Sequence, residues 1–291
     1  MLNFILYAGV AFIWGSTWLA IKYQLGVVSP LMSVTYRFGL SAILLLLYCR
    51  LAGLNLRYSA REHRWFGLQG VLLFGFNYWF VYIAEEDLSS GLTAVIFSTI
   101  VLFNILNGAL FLKSPIRKQV LAGALVGVVG IGLIFKDDIL HFSFQNKAAV
   151  ALLLAMLGAS FSSLGNITSA RNQKQRLPVM QTNAFGMLYG AIAMFIIAIF
   201  RGDAIIIDTS LPYVSSLLYL AVFGSIIGFG SYLKLVGSIG ADRAGYIALI
   251  FPIIALALAT LFEGYVWTMP AVLGIALILA GNFLVVGFRK G

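Results

Sequence analysis

Charge, cysteine and histidine are all scarce in this chain of 291 residues. Charged side chains make up 10% of it and hydrophobic ones 61%. That excludes an ordinary soluble domain, which needs a charged, water-facing surface. Cys49 is the only cysteine, so there is neither an intrachain disulfide nor a thiolate metal cluster. The two histidines, His63 and His141, both fall between apolar runs, and a histidine-held metal or a Ser-His dyad inside those runs lacks its parts. Paired aspartates within an apolar run, a Gly-x-Gly-Asp motif and a Walker-type GKS/T are absent too. Their absence weighs against an intramembrane aspartyl protease and against direct use of ATP. The filter-like motif or charged ring of a channel is not evident either. The expectation is a protein with no metal and no cofactor that is not an enzyme.

What the sequence has is apolar residues in long blocks, with a mean hydropathy of +0.99. A spanning helix needs about 20 mostly apolar residues to cross about 30 Å of hydrocarbon. Ten segments meet or approach that length: 3–24, 30–49, 65–84, 90–112, 119–135, 148–170, 178–200, 212–236, 244–262 and 269–288. Strands of a membrane barrel would alternate with a period of two, and no such pattern occurs. The fold class is therefore an all-α membrane protein with ten transmembrane helices. The first segment starts almost at Met1 without a basic n-region and is too long for a signal-peptide core, so it is expected to be a retained helix. The longest basic connector, 50–64, is too short to fold as a domain.

The net charge of +9 is distributed by topology. With the N-terminus in the cytoplasm, the inward loops and tail hold Arg50, Arg57, Arg61, Arg64, Lys113, Arg117, Lys118, Arg171, Lys174, Arg176, Arg243, Arg289 and Lys290, and the outward loops only Lys136, Lys147 and Arg201. Basic loops resist translocation and are drawn to anionic inner-leaflet lipid. This bias places both termini in the cytoplasm of a cell inner membrane, and it removes the reason to read the charge as a nucleic-acid footprint.

Residues 110–133 and 261–284 align at a constant offset, pairing Leu110 with Leu261, Phe111 with Phe262, Gly123 with Gly274, Gly130 with Gly281 and Leu133 with Leu284. Pro30 opens one segment as Pro178 opens its counterpart. Two halves of five helices each, 1–136 and 137–291, must insert with opposite orientation because five is odd. Such a 5+5 inverted-topology repeat is the usual plan of alternating-access carriers, whose site lies between the halves. GxxxG pairs at Gly123/Gly127, Gly186/Gly190 and Gly224/Gly228 allow close helix approach, either within one bundle or between copies, so monomer and homodimer stay open.

Several stretches then resemble the drug/metabolite transporter superfamily in its EamA-type, ten-helix branch. They are FIWGSTWLAIK (12–22), RFGLSA (37–42), NYWFVYIAEEDLSSGLTAVIF (77–97), FPIIALALATLFEGYVWT (251–268) and LGIALILAGNFLV (273–285). The resemblance spans the whole chain and implies export or exchange of small amphipathic metabolites, amino acids or drug-like compounds. Two departures stand out. Val101 occupies a place where many members carry proline, whereas Pro252 is present in the second half, so helix four is expected to be less kinked than helix nine. LFLKSP (110–115) lacks the Leu-Gly-Glu that often ends the first repeat.

Polar groups inside hydrocarbon usually face a wet cavity or another helix. Tyr78, Tyr82 and Glu85 recur at helical spacing on one face, with Asn77 beside them and Trp79 on the opposite face. An aromatic stripe ending in a carboxylate suits an amphipathic solute. It also suits ordinary interhelical packing. Ser162 and Asn166 share a face of helix six, while Trp14, Thr17 and Ser98 are further candidates and Tyr232 and Tyr246 their second-half partners. Asn104 and Asn107 are expected to tie helices together. Glu85 and Arg37 form a coupling site or an ion pair, with protons as the candidate coupling ion; Lys22 is expected to hold a structural ion pair or to snorkel to an interface, and Lys234 to snorkel. The expected partners are a small-molecule substrate and the lipid bilayer. A sugar or nucleotide-sugar carrier is the rival within the class, and would need more hydrogen-bonding side chains. A channel or an intramembrane enzyme is the rival outside it.

Overall fold

The computed structural model describes residues 2–113, 118–136, 140, 145–232 and 247–287, and no strand occurs among them. Helix α1 spans Leu2–Lys22 and α2 spans Pro30–Leu51. Ser29 caps α2 by accepting from Met32 N, and Pro30 occupies the first turn, where its missing N–H costs nothing. The third segment starts earlier than its hydropathy implied. A capping box between Ser59 and Glu62 turns the end of the basic connector into helix α3, Ala60–Gly70. A π-helical stretch, Val71–Phe76, follows and leads into α4, Asn77–Asp87.

The fourth segment is broken. Helix α5 (Ser90–Phe97) and α6 (Ile100–Leu112) are separated at Ser98 and Thr99. This corrects the expectation drawn from Val101, since the Pro252-bearing helix runs without interruption over Ile247–Phe262. The break has a side-chain cause. Ser98 Oγ donates to Val95 O and Thr99 Oγ1 to Ile96 O, each at 2.6 Å. Such back-bonding draws the turn away from regular helix.

The remaining helices are α7 (Lys118–Ile134), α8 (Lys147–Lys174), α9 (Val179–Arg201), α10 (Leu211–Tyr219), α11 (Ile247–Phe262) and α12 (Met269–Gly287). A second π-helical stretch, Leu220–Ile227, extends α10. Seven helices among the described residues are long and apolar enough to cross a membrane, and three further apolar helices are shorter: Leu121–Ile134, Ile250–Phe262 and Met269–Leu284.

Packing follows the small residues. Helix α12 lies on α7, α9 on α2 and α3, α8 on α4 and α6, and α11 on α1 and α5. Gly70 meets Gly186 so closely that a methyl group there would lie 2.0 Å from the Gly186 carbonyl oxygen. Gly130 meets Gly274 and Gly281 meets Gly123, with corresponding approaches of 2.6 and 2.5 Å. Lipid gives no hydrophobic drive between helices, so this backbone proximity and its dispersion contact hold the bundle. The glycine faces are thus used within the chain.

Candidate functional site

Arg37, only 1% exposed, is the focus of the buried polar residues. Its Nε donates to Ser225 Oγ at 3.4 Å and its Nη1 to Tyr82 Oη at 3.5 Å. The guanidinium also lies over the Tyr78 ring, 4.5 Å from its centroid. Tyr82 in turn donates to Gln24 Oε1 at 2.6 Å. A buried band therefore runs from the π-helical stretch after α10, through α2 and α4, to the turn between α1 and α2. It brings together Arg37, Tyr78 and Tyr82 from the candidate set. Asn77 is buried but turns toward α8, where its backbone oxygen borders Gly158. Its Nδ2 donates to Leu73 O, and its Oδ1 has no hydrogen-bond partner.

Glu85 is fully buried and neither carboxylate oxygen has a hydrogen-bond partner. The structure does not join it to Arg37 as an ion pair; the ion pairs among the described residues are Lys22–Glu263, Lys147–Asp87 and Arg201–Asp203. Arg37 is turned instead to Tyr78, Tyr82 and Ser225. Lys22 takes the ion-pairing one of its two expected structural roles. Its ammonium donates to the backbone oxygens of Glu85 and Leu88 at the end of α4 and pairs with Glu263 at 3.9 Å. A cation there complements the helix dipole. Glu263 also accepts from Ser90 N and Ser90 Oγ. This cluster borders an open cavity of about 530 Å³ lined by Lys22, Glu85, Glu86, Asp87 and Lys147.

A second cavity, about 230 Å³, lies toward the other end of α2. Leu45 and Tyr48 of α2, Asn183 and Met187 of α9, and Ser225 and Phe229 of the eighth segment are among its walls. Asn183 was missed from sequence. The signal was present, because Gln181, Thr182 and Asn183 form a polar cluster inside an apolar segment. Asn183 Oδ1 accepts from Gln69 Nε2 at 2.9 Å, Gln69 Oε1 accepts from Asn172 Nδ2 at 3.0 Å, and Asn172 Oδ1 accepts from Arg171 Nη1 at 3.1 Å.

The other candidates are dispersed. Trp14 donates to Gly224 O at 3.3 Å and packs against Phe229 and Tyr232, with centroids at 5.4 and 5.0 Å. Thr17 back-bonds to Trp14 O. Ser98 Oγ accepts from Asn282 Nδ2 at 2.9 Å, a tie between the broken fourth segment and α12. Asn166 donates to Asn104, and Asn107 to Ser163, so α6 and α8 are joined twice. Ser162 is buried on α8. Tyr246, Lys234, His141 and the basic residues Arg117, Arg243, Arg289 and Lys290 lie outside the described residues.

Comparison with known proteins agrees with this architecture. The model of the EamA-like transporter family matches residues 1–136 and again 149–287. The chain is 30% identical over 254 residues to the uncharacterized inner membrane transporter YedA of Escherichia coli K12, covering 85% of this chain and 78% of that protein. It is 25% identical over 289 residues to a probable amino-acid metabolite efflux pump of the same organism, covering 96% and 93%. Protein PagO of Salmonella typhimurium is 23% identical over 98% of this chain and 93% of its own. One solved crystal structure superposes with a TM-score of 0.67 at 18% identity, covering 97% of this chain and 95% of that one.

Proposed function

Because the chain belongs to the EamA-like transporter family, we propose that it is a secondary active or facilitative carrier that exports or exchanges small amphipathic metabolites, of which amino acids are the leading class, by alternating access across the inner membrane. The observation that carries this reading is the pair of cavities at opposite ends of the bundle with the band of Arg37, Tyr82 and Gln24 between them. Four chain segments meet in that band through three hydrogen bonds. These bonds, each worth about 1 kcal/mol net, are the polar part of a closed end whose remaining contacts are largely apolar packing.

The alternating-access part rests on an inverted repeat of 1–136 on 137–291. Exchanging the two halves exchanges the packing pairs: α1 on α11 becomes α8 on α6, and α7 on α12 and α2 on α9 map onto themselves. The glycine contacts obey the same exchange, Gly130 with Gly274 becoming Gly281 with Gly123. The two π-helical stretches hold Phe74-Gly75 and Phe223-Gly224 in the third and eighth segments. The family model's two successive matches support the same division. The name of one relative, a probable amino-acid metabolite efflux pump, favours that cargo.

The test is uptake and exchange by the purified protein in liposomes, across amino acids, sugars and organic cations, with and without a pH gradient. Flux of amphipathic amino acids above that of empty liposomes is expected. Flux of sugars alone, or of nothing in the panel, would refute the substrate class.

A further inference from the structure

Three residues in the wall of the smaller cavity carry polar side-chain groups, Tyr48, Asn183 and Ser225, and the last two are each reached by a hydrogen-bonded run that starts at an arginine. Amide side chains can be flipped, so the direction of a run of them is usually open. Here a guanidinium heads the run, and a guanidinium only donates. Arg171 therefore fixes Asn172 with its oxygen toward the arginine, Asn172 fixes Gln69, and Gln69 fixes Asn183. Every amide accepts on one side and donates on the other. The run ends at Asn183 Nδ2, which donates to no group among the described residues and stands in the cavity wall. Gln69, Asn172 and Asn183 are all buried, so water does not reset the direction.

The opposite wall offers the complementary environment. Ser225 Oγ spends its hydrogen on Leu220 O at 3.0 Å and accepts from Arg37. Among the described residues, Arg37 is a buried cation that forms no ion pair, with Glu85 in the same buried region, and no acidic residue lines this cavity. The remaining wall is largely apolar, with Leu45, Met187 and Phe229 among its residues. A donor-only amide in a wall without a carboxylate among the described residues selects for an acceptor such as a carboxylate, and apolar walls select for an apolar body.

We propose that this cavity is the cargo site and that Asn183 Nδ2 recognises the carboxylate of an apolar organic acid or amino acid. The inference rests on the carrier reading above and names the chemistry of its site. Arg171 is a positioning residue, since it acts on the cargo only by orienting the amides.

Three probes with one apolar body separate the possibilities: 3-phenylpropionate, phenylalanine and phenethylamine, which lacks a carboxylate. Binding to the purified wild-type protein is expected to favour the two carboxylates over the amine by about tenfold or more, equivalent to about 1.4 kcal/mol. Asn183→Asp turns a carboxylate oxygen into the cavity in place of the donor and should invert the ratio. Asn183→Leu removes the donor and should bring it to about one. Arg171→Lys keeps a donor at the head of the run and should keep the ratio, whereas Arg171→Gln frees the amides to flip and should lower it. The ratio is measured within each variant, so partial loss of folded protein does not affect it. Equal wild-type binding of all probes, no binding of either carboxylate, or an unchanged ratio in both Asn183 variants would overturn the assignment. The carrier reading is judged separately by liposome flux, so a protein that transports amino acids while ignoring Asn183 refutes only this inference.

Discussion

Arg37 and Glu85 share a buried region but are solved differently by their surroundings. Arg37 finds a π face and two hydroxyl acceptors, an arrangement that a planar guanidinium fits and a lysine ammonium does not. Tyr82 is the hinge of that arrangement, because its single hydroxyl both accepts from Arg37 and donates to Gln24. Tyr82→Phe should therefore destabilise the protein by about 1–3 kcal/mol, seen as a lower melting temperature in detergent, and it should raise basal exchange by loosening the closed end. An unchanged melting temperature would remove the hydroxyl from the closure. The Glu85 carboxylate accepts no hydrogen bond. A carboxylate in that position is costly to keep charged, so Glu85→Gln should leave folded yield intact. If Glu85 couples protons to transport, the same variant loses accumulation driven by a pH gradient while keeping downhill exchange. A wild-type protein indifferent to the gradient in liposomes would end the coupling role.

Elements in this bundle are shaped by what the backbone can approach. The third and eighth segments each carry a π-helical stretch, and glycines on or beside these stretches meet a neighbouring helix. Gly70 meets Gly186, and Gly224 lies against Thr17. Gly70→Ala puts a methyl group into a carbonyl oxygen that cannot swing aside, and overpacking of this kind costs about 1–3 kcal/mol or more. Folded yield and melting temperature should fall for Gly70→Ala and stay unchanged for Gly9→Ala, where nothing lies within 4 Å. Equal behaviour of the two variants would contradict the close approach of α3 and α9. The break in the fourth segment coincides with a tie to another helix, the buried Ser98 carbonyl oxygen accepting from Asn282 Nδ2 at 3.3 Å.

At the scale of the whole molecule, the orientation we propose rests on the basic loops. Both termini are inferred to be cytoplasmic, with the α1–α4 cluster around Glu85 facing outward and the Asn183 cavity facing inward. In a Cys49→Ser background, an impermeant maleimide applied to intact cells should label Leu140→Cys and spare Gln175→Cys. The reverse pattern would invert the orientation, and with it the assignment of each cavity to a side.

Membership of the membrane class, the placement of most of the apolar segments and the helix start at Pro30 were legible in the chain, because bilayer insertion and helix initiation are local demands that composition and short spacing satisfy. The stripe of Tyr78, Tyr82 and Glu85 was legible for the same reason, being one turn of helix after another. What these residues face was not. That Arg37 binds Tyr82 and not Glu85, that Lys22 closes the end of α4, and that Asn172, Gln69 and Asn183 form one oriented run all depend on contacts between segments more than 40 residues apart in sequence. The break at Ser98 was hidden too, since the proline rule concerns the backbone nitrogen while this break sits at two hydroxyls that bond back to the preceding turn. Sequence decides which groups must avoid lipid; only the tertiary packing decides which partner each buried polar group finds, because in hydrocarbon that choice is made by whichever neighbour the helix crossings bring within reach.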